Sequence, residues 1–201
     1  MRYSGPICRY CRREGISLCD KHKCAAIKRP TPPGQHGNKR LPKTSDYAKQ
    51  LREKQKAKRI FGLTEKQMRK YYAAAVKSKG ITGDELLKNL EKRLDNAVFR
   101  SGIARTRRQA RQLVSHGIVT LNGRRVTIPS IVVQEGDEFG IREKNKSMPA
   151  FENFAKRKVQ VPGWLTVDTN AISAKVSGSA QKEDLEQSID TQMIIEFYSR
   201  T

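Results

Sequence analysis

All of the chain's excess positive charge lies in its first 120 residues, and that asymmetry limits what the chain can fold into alone. Residues 1–60 carry 17 Lys/Arg against 4 Asp/Glu, residues 61–120 carry 13 against 5, and residues 121–201 carry 11 against 11. A net charge of +21 arranged this way makes a compact state repel itself unless a polyanion lies close, and nucleic acid is the commonest polyanion. Only 36% of residues are hydrophobic and the mean hydropathy is -0.71, so part of the chain is expected to order only against its partner. No apolar run approaches the roughly 20 residues of a membrane span. The opening MRYSGPICRY lacks the apolar stretch of a secretory signal, so a cytosolic, reducing home is expected.

Every cysteine falls within PICRYCRREGISLCDKHKC, residues 6–24, as C-x2-C-x7-C-x4-C from Cys8, Cys11, Cys19 and Cys24. A C-x2-C pair is the common zinc knuckle, because two intervening residues let both sulfurs face one tetrahedral ion. The spacing predicts one structural Zn2+ held by four thiolates. His22, at C-x2-H from Cys19, is the alternative fourth ligand in place of Cys24. Disulfides do not suit a reducing compartment, and a thioredoxin-type pair needs a strand that nothing before Cys8 resembles. So short and basic a segment has almost no core of its own and is expected to lose its fold without metal. Around the metal knot, Arg9, Arg12, Arg13, Lys21, Lys23, Lys28 and Arg29 would meet phosphate already ordered. Beyond them RPTPPGQHGNKRLPK, residues 29–43, reads as an extended basic arm.

From Ser45 the texture becomes helical. SDYAKQLREKQKAKRIFG ends at Gly62, a helix stop. Thr64 and Gln67 form a capping box with Leu63 and Met68 as its hydrophobic staple, and Gly80 reads as the end of that helix. The device repeats with Thr82 and Glu85 as box and Ile81 and Leu86 as staple. Leu86, Leu87, Leu90, Leu94, Ala97 and Val98 then follow helical spacing and read as core.

A third box, Thr106 with Gln109, opens ARTRRQARQLVSHG, which Gly117 closes. Ala110, Leu113 and Val114 face inward on the 3.6 period, while Arg107, Arg108, Arg111 and Gln112 cover the rest. Residues 105–111 hold four arginines and no acid, whereas a merely solvated face mixes signs. After Gly117 the period switches to two. IVTLNGRRVTI is a hairpin around Asn122-Gly123, and SIVVQEGDEFGI supplies a further run.

RLDNAVFRSGIARTRRQARQLVSHGIVTLNGRRVTIPSIVVQEGDEF, residues 93–139, closely resembles the αL RNA-binding module in its ribosomal form. PPGQHG at 32–37, SDYAKQLREKQKAKRIFGL at 45–63, PGWLTVD at 162–168 and IIEFYSR at 194–200 resemble, in order, the bacterial small-subunit ribosomal protein four family. The resemblance implies a structural constituent of the small ribosomal subunit that binds its ribosomal RNA at a multi-helix junction, nucleates assembly of the subunit body and contributes to translational accuracy. It implies the neighbouring ribosomal protein five, protein twelve across the accuracy region, and messenger RNA nearby as partners, with no membrane and no small-molecule substrate. Some members carry the cysteines as a zinc site, and this chain resembles those.

Carried over by resemblance, the module's RNA surface is Arg93, Arg105, Thr106, Arg107, Arg108, Arg111, Gln112, Ser115 and His116, with Asn122 and Arg124 at its edge. His116 reads equally as a cation capping the helix C-terminus. In the helical block, Arg52, Gln55, Lys58, Arg59, Arg69 and Tyr72 are the RNA-backbone candidates, and Lys39, Arg40 and Lys43 lie in the arm near incoming messenger. The expected class is α+β. It comprises a zinc-nucleated segment and arm (1–44), a helical domain (45–91 plus 178–201) and an α+β domain (92–177) whose αL module, with its small antiparallel sheet, spans roughly 92–155. No phosphate loop, nucleophile-base set or catalytic domain is present, so the chain reads as a non-enzyme. Two other rivals are a stress protein that rescues stalled ribosomal particles, which would share only the module, and a DNA-binding zinc regulator, which would show a recognition helix on its metal site.

Overall fold

The computed structural model describes every residue except 1, 2, 4, 22, 40–42, 152, 153, 155–159 and 201. The chain folds as two compact units, Met1–Leu86 with Glu186–Thr201, and Leu87–Leu185. These differ from the three expected segments. The cysteine segment packs within the helical unit, and residues 178–185 stay with the sheet, where Asp184 accepts the Gly163 N–H at 3.3 Å and Leu185 is buried.

The first unit holds α1 (Cys8–Glu14), α2 (Ala25–Lys28), α3 (Asp46–Ile60), α4 (Glu65–Lys77), the start of α5 (Thr82–Glu91) and α8 (Thr191–Ser199). Helix α3 ends as its sequence predicts. Gly62 takes φ +61, its N–H reaches Arg59 O at 3.3 Å, and Leu63 N–H reaches Lys58 O at 2.9 Å, the paired bonds of a Schellman stop. The Thr64 box forms reciprocally, with Gln67 N–H on Thr64 Oγ1 at 3.4 Å and Thr64 N–H on Gln67 Oε1 at 3.2 Å. Two expectations need correcting. Ser78, not Gly80, stops α4, through its N–H and hydroxyl on Ala75 O. Thr82 is not a cap but already the first residue of α5, with Glu85 N–H on Ile81 O at 3.0 Å.

Among the described residues the second unit contains the rest of α5, α6 (Leu94–Arg100), α7 (Arg107–Ser115) and five strands: β1 (Val119–Leu121), β2 (Arg124–Arg125), β3 (Glu138–Ile141), β4 (Leu165–Asp168) and β5 (Ser173–Val176). All pairings are antiparallel, in the order β2-β1-β3-β5-β4. Asn122 and Gly123, at φ +50 and +74, make the two-residue turn, both central residues being left-handed as a primed hairpin requires. The stripe from Leu86 to Val98 is core, but it is not one helix. At Arg93 the backbone becomes extended and pairs with Val132, while Leu94 N–H reaches Ile131 O at 2.8 Å and Val133 N–H reaches Lys92 O at 2.8 Å. That break turns α6 against α7. A Schellman stop at Gly117 (φ +67), with Ile118 N–H on Leu113 O at 3.1 Å, then delivers the chain into β1.

Candidate nucleic-acid interface and metal centre

The Sγ atoms of Cys8, Cys19 and Cys24 lie within 4.8 Å of one another, and the fully buried Cys11 falls outside that close group of three. Four thiolates about 2.3 Å from one tetrahedral ion would stand slightly closer than this, so the cluster suits a soft divalent metal such as zinc. Cys11 is fully buried and accepts the Leu18 N–H at 3.4 Å, while burial pushes its thiol up to about 12. Burial also raises Cys24, but hydrogen bonds from the Ala26 backbone and from Ser17, Cys19 and Cys11 outweigh it and hold that thiol below 9.0. The competing ligand His22 lies outside the described residues.

The cysteine segment also organises its cations. Arg12 donates from Nε to Thr31 O at 3.0 Å and from Nη2 to Pro32 O at 3.3 Å, fixing the start of the arm. Lys39 and Lys43 are exposed along that arm, and Arg40 lies outside the described residues. Glu14 pairs with Arg52 and Arg59, and the Arg59 guanidinium sits 4.2 Å from the Tyr10 ring centre. Burial raises the Glu14 carboxyl despite those arginines, and burial lowers Arg59 despite Glu14. Of the other RNA candidates here, Arg69 is exposed and Gln55 half-buried, Lys58 pairs with Glu65 at 3.1 Å, and Tyr72 stacks on Tyr198 at 4.7 Å.

In the second unit Thr106 caps α7 by accepting the Gln109 N–H at 3.2 Å, while Gln109 Oε1 reaches back to the Arg105 N–H at 2.8 Å, one residue further than the box predicts. Arg105, Gln112, Ser115 and His116 are exposed, and Arg107, Arg108 and Arg111 are half-buried. Buried polar groups at Glu91, Asp95 and Asn96 hold arginines on and beside this helix. Arg100 grips the fully buried Glu91 with Nη2 to Oε1 at 2.7 Å and Nε to Oε2 at 3.0 Å. Arg111 Nη1 lies 3.6 Å from Asp95 Oδ2, and Arg107 donates to Asn96 Oδ1 at 3.0 Å with its guanidinium 4.5 Å from the Phe99 ring centre. Among the described residues no helix is long and apolar enough to cross a membrane.

Residues 2–91 match the Ribosomal protein S4/S9 N-terminal domain, and residues 92–139 match the S4 domain. The small ribosomal subunit protein uS4 of Thermus thermophilus is 48% identical over 207 residues, covering 99% of both chains. Its Desulfitobacterium hafniense counterpart is 47% identical over 206 residues, again 99% of each. The chain belongs to the uS4 family of small-subunit ribosomal proteins. It is thus a ribosomal RNA-binding protein and not an enzyme.

Within this uS4 chain one expected surface residue is not at the surface. Arg93 is 0% exposed and forms a two-pronged pair with Asp95, Nε to Oδ1 at 3.0 Å and Nη2 to Oδ2 at 2.7 Å. It organises the turn between α5 and α6 instead of facing RNA. Asn122 is similarly occupied: Nδ2 donates to Asp137 at 2.8 Å and Oδ1 accepts the Glu138 N–H at 2.9 Å, while Arg124 beside it is exposed. The residue reading missed Glu14, Glu91, Asp95 and Asn96, which hold the cations, and Arg125, whose guanidinium covers Gly117 so closely that a Cβ there would stand 2.2 Å from Nε. The signal available was a set of acids inside strongly apolar or basic surroundings, where a buried carboxylate requires a cation.

Proposed function

We propose that this chain is a primary binder of small-subunit ribosomal RNA, engages a multi-helix junction, nucleates assembly of the subunit body and contributes to translational accuracy beside the channel by which messenger enters. The observation that carries the reading is that two arginines of α7 are held from inside, Arg111 by the buried Asp95 and Arg107 by the buried Asn96, rather than left to sample solvent. The deep major groove of A-form RNA excludes side chains, so a rigid basic surface reads junction shape through phosphates and 2′-hydroxyls. Ordering guanidinium groups before binding lowers the entropy lost on docking. Arg105, Arg107, Arg108, Arg111, Gln112, Ser115 and His116 are the contact set, with Thr106 presenting them and Arg124 at the edge. Arg52, Gln55, Lys58, Arg59, Arg69 and Tyr72 add backbone contacts, and Lys39 and Lys43 face messenger.

Cys8, Cys11, Cys19 and Cys24 would hold one zinc ion, which when bound supplies cross-linking rather than chemistry because four protein ligands leave no open position. The remaining partners in this reading are ribosomal proteins five and twelve, in the small subunit of the cytoplasm. The test compares binding to a naked small-subunit ribosomal RNA fragment containing a helical junction with binding to equally long duplex DNA. Far tighter RNA binding, weakening steeply with salt, is the expected result. Equal affinities at physiological salt overturn the reading.

A further inference from the structure

Asn96 is 3% exposed and sits between an acid and a base. Its Nδ2 donates to the fully buried Glu91, to the carboxylate and, at 3.2 Å, to the backbone oxygen. Its Oδ1 accepts from Arg107 Nε at 3.0 Å. Only one amide orientation satisfies both neighbours, because the reverse would face oxygen with oxygen and N–H with N–H. Aspartate at this position would set a second carboxylate against Glu91, and an aliphatic residue would leave both neighbours short of a partner. The ring of Phe99 supports the Arg107 guanidinium from a second direction, at 4.5 Å. Glu91 meanwhile takes Arg100 in a two-pronged grip. One buried carboxylate thus fixes Arg100 directly and Arg107 through Asn96.

We propose that Asn96 is a positioning residue for ribosomal RNA binding: with Phe99 it holds the Arg107 guanidinium in the orientation that meets a phosphate, without touching RNA itself. The proposal rests on α7 being the RNA surface. An arginine held at Nε and against a ring has few rotamers left to lose on docking, so the gain is one of preorganisation rather than of added charge.

A double-mutant cycle tests it, using the full chain, transcribed small-subunit ribosomal RNA and a salt series, with thermal unfolding measured alongside. Asn96→Ala and Phe99→Leu should each weaken binding about three- to tenfold in the wild-type background and cause no further loss in an Arg107→Ala background. Arg107→Ala should reduce the slope of log affinity against log salt by roughly one contact, while Asn96→Ala and Phe99→Leu leave that slope unchanged. A purely structural Asn96 would lose the same factor in both backgrounds, in step with thermal stability, and that outcome overturns the proposal. If Asn96→Ala does not fold, Phe99→Leu decides the matter, since it removes only the supporting ring. If Arg107→Ala itself leaves affinity and slope unchanged, α7 is not the RNA surface and both readings fall.

Discussion

Tyr198 donates its hydroxyl to Glu65 Oε1 at 2.9 Å, joining residues 133 positions apart. The other oxygen of the same carboxylate takes Lys54 at 3.0 Å and Lys58 at 3.1 Å. Lys54 also lies 4.5 Å from the Phe197 ring centre, and Tyr72 stacks on Tyr198. A single glutamate in the first turn of α4 therefore ties α3, α4 and α8 together, where its charge also suits the helix N-terminus.

That arrangement gives the first unit a definite acid response. Burial works against the Glu65 carboxylate, yet hydrogen bonds from Lys54, Lys58 and Tyr198 outweigh it and hold its carboxyl below the usual 4.5. A carboxyl lowered in the folded state contributes stability that is present above its unfolded value and lost as pH falls through the folded one. Glu14 has the opposite sign, because burial raises it and protonation relieves that cost. Thermal unfolding followed from about pH 6 to pH 3 should show Glu65→Gln losing less stability on acidification than the wild type. Parallel curves for the two proteins would exclude Glu65 as the source.

The Arg93–Asp95 pair carries a prediction of stability rather than of RNA contact. Arg93→Met leaves Asp95 buried with Arg111, at 3.6 Å, as its remaining ion-pair partner, and should cost about 3–5 kcal/mol in urea unfolding of the second unit. Arg93→Met with Asp95→Leu removes both charges and should restore much of that loss. If the single variant unfolds like wild type, the pair does not organise the α5–α6 turn.

Local signals carried much of this fold. The Asn122-Gly123 turn, the Thr64 box and the Gly62 and Gly117 stops each depend on a few adjacent residues, and each forms. Contacts between distant segments were less legible. An unbroken helical stripe conceals the bend at Arg93, because the hydrogen bonds that favour it come from residues 129–133. In the site, four arginines without an acid between 105 and 111 identified the basic face, but Asp95 reaches Arg111 directly, and Glu91 reaches Arg107 through Asn96, from neighbouring elements. Charge counted along the chain cannot tell a surface arginine from Arg93, whose partner stands two residues away in a buried turn.

The exposed cation that flanks α7 should behave differently from the buried Arg93. Arg105→Ala removes a side chain on the helix N-terminal flank and should change stability by less than about 0.5 kcal/mol. Its RNA affinity should fall at every salt concentration, with the log–log slope smaller by roughly one contact. A salt series with filter-binding readout distinguishes this from Arg93→Met, for which loss of binding should follow loss of fold.

The cysteine cluster predicts a metal-dependent first unit. Protein purified without added metal should contain one zinc per chain by elemental analysis, and only a trace would remove the zinc reading. Chelation should raise hydrogen exchange in α1 and cleavage of residues 29–43, because the cluster anchors the helix from which Arg12 holds Thr31 and Pro32. Arg59 should loosen at the same time, since Glu14 and Tyr10, its partners on α1, lose their anchorage. Helix α7 belongs to the other compact unit and should keep its protection, giving an internal control. Cys24→Ser separates the two candidate ligand sets: zinc content should drop sharply if Cys24 is the fourth ligand and stay near one per chain if His22 serves instead.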